Sequence, residues 1–133
     1  MTTRQVKITA ITGALAVALG AFGAHSLKTL IDAAQMETFR TASLYHFIHV
    51  LPMVIIALRR GEHHPALDQS FYLWLAGIAC FSGSLYILSI RSLLGLDQIP
   101  FLGPITPVGG VLFIAGWLNL LRYKPAQHSH HHH

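Results

Sequence analysis

The chain has 133 residues, enough for one domain; 53% are hydrophobic and only 11% are charged. So few charges cannot coat a water-facing globule, which excludes an ordinary soluble domain. The formal charge of +4 suggests nucleic acid at first sight. The basic residues, however, punctuate apolar runs instead of forming a patch, so no nucleic-acid partner is expected.

The gaps between charges organise the chain. Lys7 to Lys28 encloses 20 uncharged residues, Arg40 to Arg59 18, Asp68 to Arg91 22, and Asp97 to Arg122 24. A hydrocarbon core of about 30 Å needs roughly 20 helical residues. The expectation is an all-α integral membrane bundle, one domain over 1–125, with spans near 8–27, 41–58, 69–90 and 105–121. A soluble bundle would show polar faces at helical spacing, and Gly13 to Gly23 shows none. Barrel strands would alternate in shorter segments.

In chain order, the first run follows Arg4 and Lys7 and ends near Ala21-Phe22-Gly23, so it has the outline of a secretory signal peptide. We read it as a true span. Its Gly13, Ala16, Gly20 and Ala24 make a small-residue stripe for close helix packing. Thr29 to Phe39, with Asp32 and Glu37, is a short amphipathic segment between the first two spans. The second span carries His46 and His49, three residues apart and hence on one helix face, followed by Pro52. Pro52 removes the donor that would meet the Ile48 carbonyl, which predicts a kink and a loosened carbonyl beside the histidines.

Arg59 to Asp68 reads as a loop, broken by Gly61 and Pro65 and holding His63 and His64. The third span has a stripe of Ala76, Cys80 and Ser84. Cys80, the single cysteine, has no intrachain partner. Ile99 to Gly110 holds three prolines and three glycines. It is expected to be non-helical as far as Thr106, which then caps the fourth helix with Pro107 at its first position. That helix start would present unpaired donors suited to a cap or an anion. Gly109 and Gly116 continue the packing theme. The tail at 126–133, rich in histidine, resembles a purification tag and is set aside.

Lysine and arginine counts give orientation. With the N-terminus inside, Arg4, Lys7, Arg59, Arg60, Arg122 and Lys124 are inner, against Lys28, Arg40 and Arg91 outer. Six against three predicts cytoplasmic termini in a bacterial inner membrane. Tyr72, Trp74, Trp117 and Tyr123 then fall toward the inner interface.

The polar residues cluster toward the outer side. His25, Tyr45, His46, His49, Ser82, Ser84, Tyr86 and Thr106 form a candidate polar pocket, rimmed by Glu37, Arg40, Arg91 and Asp97. Imidazoles in lipid need partners, so the histidines are expected to face the bundle interior. Three readings follow. The favoured one is a structural or interaction protein whose polar layer fixes helix register. The alternative is a binding or transport module for a small polar ligand, an ion or a lipid headgroup. The weakest is a metal or redox protein using His25, His46 and His49. No catalytic triad, P-loop, dinucleotide fingerprint or HExxH occurs, so the reading leans away from an enzyme and predicts no cofactor. The expected partners are the bilayer and a second copy or another membrane protein.

The motifs "GALAVALGAFGAHSL" (Gly13 to Leu27), the F-x-T-A-x-x-Y-H-x-x-H run (Phe39 to His49), "FSGSLY" (Phe81 to Tyr86), "TPVGG" (Thr106 to Gly110) and Gly116-Trp117 occur in this order. Together they resemble the small bacterial inner-membrane proteins of domain-of-unknown-function family 423, with which a short eukaryotic transmembrane protein belongs. The resemblance covers nearly the whole chain. It implies a four-span membrane protein without a settled activity and supplies no catalytic residue. It also implies that glutamine can stand at the position of His46, which argues against a three-histidine metal site.

Overall fold

The computed structural model describes residues 3–61, 63–96 and 100–125. Asp97, Ile99 and the tail at 126–133 lie outside them. The chain is all-helical, with no strand among the described residues, and four stretches are long and apolar enough to cross a membrane. They run Thr3–Thr29, Ala33–Ala57, Pro65–Ser89 and Leu102–Arg122. Each begins a few residues before its charge-free window, because a charge at a helix end can reach the interface while its backbone stays helical. We call the end with residue 3, the 58–64 connection and residue 125 the terminal end, and the opposite one the far end.

Helix α1 (Thr3–His25) buries a narrow stripe of Gln5, Thr9, Thr12, Ala16 and Gly23. Its outward face carries Ile11, Leu15 and Val17. Polar and small residues inside with branched apolar ones outside is the reverse of a soluble helix and fits a helix facing lipid. The Thr9 and Thr12 hydroxyls donate to the Gln5 and Ile8 carbonyls at 2.8 and 2.7 Å, so neither is left unpaired. A 3-10 turn, Leu27–Thr29, follows.

Helix α2 (Ala33–Ala57) starts on a capping box: the Asp32 carboxylate accepts from Gln35 N at 2.7 Å, and the Gln35 carbonyl accepts from Asp32 N. The polar stretch expected between the first two spans is thus divided between the 3-10 turn and the first turns of α2. The helix runs on through Pro52. It is the central element and packs against α1 and the third span.

The third span is α3 (Pro65–Gly77), a π turn (Ile78–Ser82) and α4 (Gly83–Ser89). Pro65 sits in the first turn of α3, where its missing N–H costs nothing. At the π turn Gly83 N reaches back five residues to the Ile78 carbonyl.

Helix α5 (Leu102–Asn119) overturns the expected start at Thr106. Pro104 falls in the first turn, whose N–H groups have no intrahelical acceptor, so only Pro107 costs an internal bond. Thr106 is inside the helix, and its hydroxyl donates back to the Leu102 carbonyl at 3.2 Å. The anion-accepting lip expected at Thr106 is therefore not formed there.

The main apolar cluster joins Val50, Met53 and Ile56 of α2 to Phe71, Trp74 and Ile78 of the third span and Phe113 of α5. A smaller one at the far end joins Leu27, Met36 and Phe39.

Candidate functional site

His46 and His49 lie on the inward face of α2, each only 3% exposed. His46 bridges three spans. Its Nε2 lies 3.0 Å from the Thr12 carbonyl of α1, and its Nδ1 lies 2.9 Å from the Tyr86 hydroxyl of α4. A carbonyl can only accept, so Nε2 carries the proton and the Tyr86 O–H donates to Nδ1. Tyr86 packs in turn on Phe39 with ring centroids 5.1 Å apart.

His49 is arranged the other way round. Its Nδ1 lies 2.8 Å from the Tyr45 carbonyl one turn back, and its Nε2 accepts from Trp117 Nε1 of α5 at 3.0 Å. An indole N–H can only donate, so the proton of His49 is on Nδ1. The ring stacks on Phe113, with centroids 3.7 Å apart and planes 9° from parallel. A second proton on Nε2 would point at the Trp117 N–H. The loosened Ile48 carbonyl expected above Pro52 is used by neither imidazole, since Tyr45 and Thr12 supply the acceptors.

The other polar residues divide. Ser84 lies 2.6 Å from Thr106, joining α4 to α5, and also donates to the Phe81 carbonyl. Ser82 is fully buried, and its hydroxyl has no partner among the described residues. Tyr45 is partly exposed, with its ring 4.8 Å from Phe81. His25 is exposed on the last turn of α1 and does not join His46 and His49. Among the described residues no three His, Cys, Asp or Glu side chains come together as metal ligands, so the His25–His46–His49 set is not assembled. Of the rim, Glu37 and Arg40 form an exposed pair at 3.0 Å, and Arg91 is exposed in the turn after α4. Four open depressions are described on the surface, and none is lined by His46 or His49.

Two features escaped the sequence. The first is a network at the terminal end. Asp68 Oδ1 accepts from Gln5 Nε2 at 2.7 Å and from Arg59 Nη2 at 2.8 Å, with the Arg59 and Asp68 side chains only 15% and 18% exposed. These charges served as boundary marks; they pair across their own loop and tie α1 to the third span. Opposite signs nine residues apart around a short loop were the available signal. The second is a polar ladder between α3 and α5. Ser70 donates to the Gly116 carbonyl and Asn119 to the Ala66 carbonyl, both at 2.8 Å. The interface placement of Trp74 is corrected as well: it is fully buried in the core, and its Nε1 has no partner among the described residues. Its six-membered neighbour in the ring cluster, Trp117, is half exposed but turns its N–H inward to His49.

A family model described as "Protein of unknown function (DUF423)" matches residues 19–110. The chain belongs to the DUF423 family. Among its relatives, the "UPF0382 membrane protein" of Staphylococcus aureus (strain bovine RF122 / ET3-1) is 42% identical over 120 residues, covering 87% of this chain and 93% of the relative. UPF0382 membrane protein YwdK of Bacillus subtilis (strain 168) is 40% identical over 114 residues, covering 84% and 88%. A Haemophilus influenzae relative with the same family name is 34% identical over 120 residues, covering 90% and 92%. No solved structure matches. The DUF423 relatives are named as membrane proteins, in agreement with the four apolar helices, and the family carries no assigned biochemical role.

Proposed function

We propose that this DUF423 protein is a structural or interaction component of the bacterial inner membrane, whose polar layer sets helix packing and performs no chemistry. One observation carries the reading. All four ring nitrogens of His46 and His49 are engaged by protein groups on α1, α2, α4 and α5. Such bonds between membrane helices contribute about 0.6 kcal/mol on average, enough to select one packing among near-equals. The apolar outer faces of α1 and α5 then meet lipid, a second copy or another membrane protein. Residues 1–125 act as one unit, with both termini in the cytoplasm, as the lysine and arginine asymmetry favours.

The test is mass spectrometry under native conditions, with elemental analysis, on tag-free protein released from membranes. The expected result is protein carrying lipid and no other stoichiometric species. A metal or non-lipid molecule present at one per chain, and lost in a His49→Phe variant, would overturn the reading. Reporter fusions at either terminus check the orientation, and a periplasmic or extracellular signal from both would reverse it.

A further inference from the structure

Between α1 and α2 at the far end, a depression of about 230 Å³ runs from Gly20 to Lys28 and Arg40. A second, of about 320 Å³, shares Lys28, Met36 and Arg40 with it and adds Asp32 and Glu37. The two form one groove with an apolar channel and a charged mouth.

The channel is open because the local glycines are used differently. Gly23 is filled: a methyl there would collide with the Phe39 ring, which forms the channel floor. Gly20 is not needed for close approach, since a methyl there would sit 3.5 Å from Phe47 and 3.7 Å from Ser43, at ordinary contact distance. The space over Gly20 is therefore free. From Gly20 to Lys28 the helix rises about 12 Å, most of one leaflet's half of a 30 Å core.

The mouth holds charges of both signs. Lys28 is exposed and makes no ion pair among the described residues. Arg40 pairs with Glu37 at 3.0 Å, but the two side chains are 63% and 72% exposed, so water screens the pair and a headgroup can enter it. Asp32 is partly committed to its cap on Gln35. A purely anionic headgroup would meet the Glu37 carboxylate beside the cations. A quaternary ammonium has no N–H to offer it. A headgroup with a phosphate and a primary ammonium matches both signs.

We propose that this groove holds an amine-bearing phospholipid. Lys28 and Arg40 take the phosphate, Glu37 takes the ammonium, and the upper acyl chain lies along the channel between Gly20 and Phe39. The inference stands apart from the scaffold reading, because it uses none of the partners of His46 or His49.

The test is native mass spectrometry of the full chain from equal mixtures of phosphatidylethanolamine, phosphatidylglycerol and phosphatidylcholine. Phosphatidylethanolamine is expected to be retained about tenfold over the others. Glu37→Gln should erase the preference over phosphatidylglycerol. Lys28→Gln with Arg40→Gln should lower retention of all three. Gly20→Leu should close the channel and do the same. Lys28, Glu37 and Arg40 are surface residues, so these variants fold and a null result is informative. Equal retention of the three lipids, a phosphatidylglycerol preference unmoved by Glu37→Gln, or wild-type retention in Gly20→Leu would each overturn the proposal.

Discussion

The seam between the third span and α5 differs in kind from the seam between α1 and α2. In the first, the glycines are contacts. A methyl at Gly109 would strike the backbone of Phe81, one at Gly116 the Trp74 indole, and one at Gly77 the Phe113 ring. Hydrogen bonds from Ser70, Asn119 and Ser84 run along the same seam. In the second, Gly13 and Gly20 meet their neighbours at ordinary distance, 3.6 Å from Val50 and 3.5 Å from Phe47. His46 supplies a cross-tie to α1 near the middle, and the far end opens into a groove. Lipid tails give helices no solvent-driven reason to associate, so the glycine-closed, bonded seam is the rigid one. The looser seam is where a ligand or a moving helix has room.

The difference can be tested by substitution, read as thermal midpoint in detergent. The largest loss is expected for Gly109→Val, because backbone on Phe81 cannot step aside as a side-chain tip can. Overpacking of this kind costs about 1–3 kcal/mol or more, and a mild effect would mean that the seam is not closed as described. His49→Ala comes next. It removes the acceptor of Trp117 and the stack on Phe113, for an expected loss of about 1–2 kcal/mol. A midpoint equal to wild type would show that the bond between α2 and α5 does not hold the bundle. The smallest effect is expected for Gly13→Ala: within about 1 kcal/mol of wild type, on the stabilising side, since alanine favours a helix and the space exists. A loss matching that of Gly109→Val would erase the contrast between the seams.

The spans were legible because a charge-free run is a property of one dimension. The inward face of His46 and His49 was legible for the same reason, since spacing along a single helix decides it. Their partners were not. Thr12, Tyr86 and Trp117 come from three other spans, and only the helix arrangement brings them within 3.0 Å. The stripes that named Gly13, Gly20, Gly109 and Gly116 could not rank them, because a glycine's neighbour is invisible in its own helix. Gly23 and Gly77 were passed over for that reason. Thr106 was misplaced because three prolines outweighed the rule that a first helical turn tolerates one.

The π turn has a consequence for sequence comparison. It holds one residue more than a regular helix would over Ile78–Ser82. Each residue turns a helix by about 100°, so deleting any one residue there would swing everything after it round the axis. Ser84 would lose Thr106 and Tyr86 would lose His46 in the same stroke. The spare residue is thus a phase setting, and a gap opposite it in a related chain would signal a bundle wired differently.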